Sequence, residues 1–174
     1  MSGLAEGSHV LDVGCGIGGT GRFLASQLGC TVTGITISTK QVELATWLSR
    51  TGAAKAKGDD DSTDARAEGE EEQVGADADG FIKCGRGKVR FIELDAERMG
   101  DFFSGTAGFD AVWITEALSH FPDKALFFRN AHGVLGAGGK VVLADWFKAE
   151  GLGQTEFEGD IKPIEGWSRA RPRD

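Results

Sequence analysis

The chain predicts a doubly wound α/β domain on a mostly parallel sheet, and three observations carry that expectation. Strand-like apolar runs alternate with helical patterns from His9 to Ala144. A glycine turn joins the first strand directly to a helix in Val10 to Thr20, Val-Leu-Asp-Val-Gly-Cys-Gly-Ile-Gly-Gly-Thr. A late run, Val-Val-Leu-Ala at 141–144, is continuously apolar, as a parallel strand covered on both faces must be.

The elements follow in order. His9 to Val13 reads as the first strand, and Thr20 to Leu28 as a helix with Phe23, Leu24 and Leu28 at helical spacing and Gly29 as its stop. The second strand runs from Thr31 to about Ile37, and Ser38 or Thr39 can cap a second helix through Val42, Leu44, Ala45 and Leu48 to about Arg50. Residues 52–87 are rich in Gly, Ala, Asp and Glu, too poor in apolar surface to offset the entropy of ordering, so disorder is expected there. Lys88 to Leu94 is the third strand, Glu97 to Phe103 a short helical segment, and Phe109 to Thr115 the fourth strand. Pro122 suits the first turn of a helix running to about Leu135 and stopped by Gly136. Lys140 to Ala144 is the fifth strand, and beyond Trp146 a polar tail, 149–174, shows no convincing strand.

Composition excludes several functions. The chain has 174 residues, enough for one domain with a core of its own. No apolar run approaches the roughly 18 residues of a membrane span, and the first residues lack the basic start and apolar stretch of a signal peptide. Cys15, Cys30 and Cys84 show no metal-ligand spacing, so no metal site is expected and a reduced, cytoplasmic setting fits. The net charge of −8 belongs to one segment: Gly58 to Asp79 holds ten acids and only Arg66, while the rest of the chain is nearly neutral. With no basic stripe, nucleic acid is not the expected partner.

Gly14, Gly16 and Gly19 satisfy Gly-x-Gly-x-x-Gly, a weak signal for a nucleotide-like cofactor. Asp12 sharpens it. A dinucleotide's pyrophosphate wants amide donors at this turn, and a carboxylate there repels it. A ligand with ammonium and sulfonium groups is favoured by the same carboxylate, which points to S-adenosylmethionine. The second strand agrees: where an NAD enzyme carries an acid about 20 residues past the turn, this chain has Gly34, Ile35 and Thr36.

Four blocks in order, at 10–20, 34–41, 109–124 and 134–146, give the chain its family likeness. It resembles the class I S-adenosylmethionine-dependent methyltransferases over residues 8 to 148, in the branch of sterol, tocopherol and ubiquinone-type small-molecule enzymes. Its second strand is similar to that of cyclopropane fatty acid synthases. The resemblance implies a Rossmann-like, doubly wound sheet whose last strands are missing from this chain, hence a core of residues 1–148 with an acidic insertion at 52–87. It implies methyl transfer to a lipid-like or natural-product acceptor. The alternatives are a catalytically inactive cofactor-binding or scaffolding module and, further off, an NAD(P)-dependent oxidoreductase. A sheet ending at its fifth strand leaves an open apolar edge, a route to self-association.

The resemblance also assigns residues. Asp12 and the turn Gly14, Cys15, Gly16, Gly18 and Gly19 would face the cofactor's methionine part, with Cys15 a small passenger. Thr36 and Gln41 would offer it uncharged hydrogen bonds and Ile37 would pack on the adenine, although Ser38 and Gln41 also read as a capping box. Asp95 and Ala96 would meet the adenine edge, although Asp95 also suits a helix N-cap. Thr115 ends the fourth strand beside the cofactor. Glu116 and His120, four apart, share a face if that segment is helical and could form a carboxylate–imidazole pair, with His120 as general base. A structural role for His120 at the Pro122 turn is the alternative. Trp113 reads as core, and Trp146 as either pocket wall or packing.

Overall fold

The structure, a computed structural model, describes residues 3–55, 74–106, 108–146 and, beyond them, 151, 153–156, 158–159 and 162. In chain order the elements are β1 (His9–Val13), α1 (Gly19–Leu28), β2 (Thr31–Thr36), α2 (Thr39–Lys55), β3 (Ile82–Cys84), β4 (Gly87–Glu93), α3 (Met99–Phe102), β5 (Phe109–Thr115), α4 (Lys124–Val134), β6 (Leu135–Ala144) and α5 (Gln154–Glu156). Single 3-10 turns at Ala96–Arg98 and Leu118–His120 precede α3 and α4.

β1 holds the centre because its sequence suits no other place: Val10, Leu11 and Val13 are fully buried. The sheet order is β3-β4-β2-β1-β5-β6, every pairing parallel except the β3–β4 hairpin. Alternate residues feed two apolar layers. Leu11, Val13, Ile35, Val112 and Ile114 pack with Met99, Phe103, Phe127 and Ala131 in one. Val10, Val32, Val89 and Ala111 pack with Leu24 and Ala25 of α1 in the other. The chain steps from β1 out through β2 to β4, then returns to β5 on the other side. That reversal opens a crevice at the carboxyl ends of the central strands, where ligands of such sheets bind.

Several expectations need correction. The sheet has six strands, because part of the segment expected to be disordered folds. Residues 56–73 of that segment lie outside the described residues, but 52–55 continue α2 and Ile82–Cys84 pairs with β4. Asp77 explains the second end. Its carboxylate accepts from the N–H of Phe81 (2.8 Å) and Asp79 (3.0 Å) and from Nζ of Lys88 (3.0 Å), pinning the turn to β4. Phe81 in turn lies 4.5 Å from both the Lys88 ammonium and the Arg90 guanidinium. A composition average misses a few well-placed contacts of this kind.

α4 begins at Lys124, capped by Asp123, whose carboxylate accepts from the N–H of Leu126 at 2.8 Å. Pro122 therefore stands just before the helix rather than in its first turn. β6 pairs from Leu135 onward, directly after α4, with an irregularity that takes up the Gly-rich stretch at 136–139 before Lys140 faces Ala111. Gly108 and Gly136 make that crossing, since a Cβ on Gly108 would lie 2.4 Å from the Gly136 backbone. β6 is an edge strand covered in part only: Val141, Ala144 and Lys140 are exposed. Among the described residues no helix is long and apolar enough to cross a membrane. Most of the tail 149–174 lies outside the described residues.

The Asp77 pin makes a local prediction. In Asp77→Ala, amides of Ile82–Cys84 should exchange about tenfold faster with deuterated solvent while those of β1 and β2 are unchanged. A wild-type chain with no protected amide in Ile82–Cys84 would contradict the hairpin.

Candidate active site

A cavity of about 490 Å³ opens at the carboxyl ends of β1, β2, β4 and β5, within the range of roughly 300–1,000 Å³ for small-molecule sites. Each strand end contributes a segment to its wall: Gly14 and Gly16 after β1, Thr36 to Ser38 and Gln41 after β2, Leu94 to Glu97 after β4, and Glu116, Ala117 and His120 to Pro122 after β5.

The glycine turn is fixed by backbone chemistry. The N–H groups of Gly14 and Cys15 both donate to the carbonyl of Ile35, at 3.0 and 3.1 Å, folding the turn onto the end of β2. Gly14 has φ +71°, and a Cβ there would come within 2.5 Å of the Ala117 methyl, so the close approach of two strand ends requires glycine. Gly16, also at positive φ, has open space where a Cβ would stand. It lines the cavity and forms a cradle a ligand can fill.

The expected turn residues divide on inspection. Gly14 and Gly16 line the cavity, whereas Cys15, Gly18 and Gly19 do not. Cys15 points away, its Sγ at 3.0 Å from the Cβ position of Gly34. Burial, and then the neighbouring Asp12, push its thiol up to about 12, so it is a neutral plug. Gly18 lies against the Phe91 ring and leads into α1 with no side-chain cap, and Gly19 opens the helix.

Asp12 is also beneath the turn rather than on the wall. It is 2 % exposed, and its Oδ2 lies 3.6 Å from the Cβ position of Gly21 in α1. Desolvation pushes its carboxyl up to about 7, only partly offset by the N–H of Gly21, and Oδ2 has no bonding partner among the described residues. A buried acid without a cation is the feature that a cationic ligand seated on the turn would relieve.

Beyond β2, both readings of Ser38 and Gln41 hold in part. The Gln41 N–H donates to Ser38 Oγ at 3.4 Å, as in a helix cap. The Gln41 side chain does not close the capping box, because its Oε1 accepts from Thr36 Oγ1 at 2.6 Å. That leaves its amide N–H₂ without a bond among the described residues, on the cavity wall. Ile37 stands 70 % exposed at the same wall, an apolar plate for a flat ring. Asp95 caps the following turn through Oδ1, accepting from the Glu97 N–H at 2.9 Å, and still borders the cavity beside Ala96. Thr115 is elsewhere: its hydroxyl accepts from the Trp113 indole N–H at 3.0 Å, and it is not part of the wall.

Glu116 and His120 both reach the wall, but not as the expected helical pair. The 3-10 turn spans only Leu118–His120, and among the described residues their side chains share no hydrogen bond or ion pair. Glu116 has φ +52°, the one non-glycine residue with positive φ among those described, a strain of about 1–3 kcal/mol of the kind that gathers at functional sites. Its N–H donates to the Ala144 carbonyl at 2.8 Å. Asp145 completes this support and was not apparent from the sequence. Its Oδ2 accepts from the Leu118 N–H at 2.8 Å, and its Oδ1 from the Trp146 N–H at 2.7 Å. The end of β6 thereby holds the segment that carries Glu116 and His120. The only available signal was an acid placed directly after an apolar strand. Trp146 itself is 84 % exposed and outside the wall.

Comparison with known proteins identifies the family. A family model described as a methyltransferase domain matches residues 11–143. A 2-methyl-6-phytyl-1,4-hydroquinone methyltransferase of Synechocystis is 36 % identical over 82 % of this chain and 33 % of its own length. A chloroplastic tocopherol O-methyltransferase of Arabidopsis thaliana is 31 % identical over 79 % of this chain and 30 % of its own. Among solved structures, phosphoethanolamine N-methyltransferase 2 of Haemonchus contortus, bound to phosphomonomethylethanolamine and S-adenosylhomocysteine, superposes with a TM-score of 0.52. It shares 27 % identity over 79 % of this chain and 24 % of its own. The chain thus spans about a third of the length of the curated relatives it matches.

The burial of Asp12 predicts a pH-dependent cost. The unfolded carboxyl ionises near 3.8 and the folded one near 7, so between these values the native state binds the extra proton and stability falls as pH rises. At about 1.4 kcal/mol for each pH unit, the loss by pH 8 is on the order of 4 kcal/mol. Asp12→Asn should therefore raise Tm over the wild type by several degrees at pH 8 and by little at pH 4. An equal effect at both pH values would contradict it.

Proposed function

The chain belongs to the methyltransferase domain family, and on that footing we propose that it moves a methyl group from S-adenosylmethionine to a small acceptor of lipid-like or natural-product type. The observation that carries the reading is the glycine turn: an open cradle at Gly16 on the cavity wall, and behind it a buried acid, Asp12, whose Oδ2 has no partner among the described residues. A wall without an acid at the end of β2 argues against NAD, and the names of the hydroquinone and tocopherol methyltransferases support a small-molecule acceptor.

The residues present fit the cofactor. The turn from Asp12 to Gly16 would hold its amino-acid end, Thr36 and Gln41 its ribose, and Ile37, Asp95 and Ala96 its adenine. When bound, S-adenosylmethionine supplies a methyl group activated by its sulfonium. The chain's own work is placement. Phe121 and Pro122 line the same wall, and the Glu116–His120 segment, held at Leu118 by Asp145, would face the acceptor. For a hydroxyl acceptor, His120 takes the proton at an imidazole nitrogen as the new bond forms, and Glu116 holds the acceptor's orientation. Three buried free thiols, Cys15, Cys30 and Cys84, suit a reducing compartment such as the cytoplasm. The part-covered edge of β6 is where self-association would occur.

The test is label transfer from methyl-labelled S-adenosylmethionine to a panel of phenols, amines and prenylated quinols. The expected result is label in an acceptor with matching release of S-adenosylhomocysteine. Gln41→Ala should raise the cofactor KM about tenfold with kcat little changed. For a hydroxyl acceptor, His120→Ala should lower kcat about 100-fold with cofactor affinity intact. A folded chain that binds the cofactor and methylates nothing on the panel would leave the inactive binding module.

A further inference from the structure

Resting on the methyl-transfer reading of the same cavity, we propose that the acceptor presents a neutral or cationic group there and carries no phosphate or carboxylate beside the atom that is methylated. Among the described residues the cavity wall contains three carboxylates, Asp95, Glu97 and Glu116, and no lysine or arginine, with His120 its only other ionisable group. Among the described residues the ion pairs lie elsewhere, at Lys40–Glu43, Lys88–Asp77, Arg129–Asp123 and Lys162–Glu158. None of the three wall carboxylates is in an ion pair among the described residues. Asp95 gives one oxygen to the Glu97 N–H, a bond that orients the group without cancelling its charge.

The positions are held rather than incidental. Glu116 sits at strained backbone with its N–H on the Ala144 carbonyl. Glu97 belongs to a turn whose carbonyls at Ala96 and Glu97 accept from the Asn130 side chain of α4, at 3.4 and 2.8 Å.

A concave wall of one charge sign focuses its field into the cavity, so an approaching anion is repelled and a cation drawn in. Sites that bind phosphate or carboxylate supply an arginine fork, a lysine or a helix N-terminus. Among the described residues this wall offers none of the side chains of that set. A cofactor with a sulfonium, an ammonium and one carboxylate brings a single net positive charge against three carboxylates, so the sign of the field is kept. Ile37, Phe121 and Pro122 supply the apolar side. The matching acceptor has an apolar body and a hydroxyl or amine at its reacting end.

Three probes of one shape and different charge decide this: 4-hydroxybenzylamine, 4-hydroxybenzyl alcohol and 4-hydroxybenzoate. Each is titrated into the full chain, with and without S-adenosylhomocysteine, while the amide resonances of Gly16, Ala96 and Ala117 are followed by NMR. The amine and the alcohol should bind at least about tenfold tighter than the benzoate at low salt, the gap narrowing at high salt. The gap should fall to about twofold in the double variant Glu97→Gln, Glu116→Gln and stay unchanged in the surface control Glu43→Gln. Benzoate binding as tight as the alcohol, or no probe perturbing the cavity of a folded chain, would overturn the proposal. A clear preference for the amine in a chain that does not bind S-adenosylhomocysteine would keep the charge rule and sink the methyl-transfer reading instead.

Discussion

One carbonyl organises the carboxyl end of this sheet. The oxygen of Ile35 accepts from the N–H groups of both Gly14 and Cys15, and that pair of hydrogen bonds turns the chain back over β2 instead of letting β1 run on. From it follow the contact of Gly14 with Ala117, the packing of Cys15 under Gly34 and the open cradle at Gly16. It also draws the ends of β1, β2 and β5 into one wall. A Cβ at 14 or 34 has no room, because it would meet the Ala117 methyl at the first and the Phe91 ring and Cys15 side chain at the second.

The same closeness forces Asp12 into a dry place. A folded domain of this size has only a modest margin of stability, and a lone buried acid consumes part of it. The strained Glu116 is a second such site, held by the Ala144 carbonyl and, through Leu118, by Asp145. Costs gathered at one cavity and supported from neighbouring strands are what functional geometry requires, since an optimally stable fold would relax both.

Much of this was legible from the residues, because it rests on local rules. Strand and helix periodicity placed β1, α1, β2 and β5 to within a residue or two, and the glycine turn marked the crevice. Of the expected site residues, Gly14, Gly16, Thr36, Ile37, Gln41, Asp95, Ala96, Glu116 and His120 share one cavity wall. What the residues alone did not show shares a physical cause. Whether Cys15 or Thr115 lines the cavity, and that Asp12 is buried beneath the turn, depends on strand pleat and on neighbours such as Gly34 and Trp113, which spacing does not reveal. The β3 hairpin depends on Asp77 meeting Phe81 and Lys88 across a turn, and composition obscures it beneath the surrounding acids. Asp145 acts on Leu118 from 27 residues away, a distance over which no local pattern speaks.

This turn, with an acid beneath it and none at the end of β2, suits an S-adenosyl cofactor rather than a dinucleotide. Calorimetric titration of the folded chain with S-adenosylhomocysteine and with NADH tests it most directly. One site of about micromolar affinity for S-adenosylhomocysteine, with no heat from NADH, is the predicted result. Preferential binding of NADH, or binding of neither by a folded chain, would contradict it.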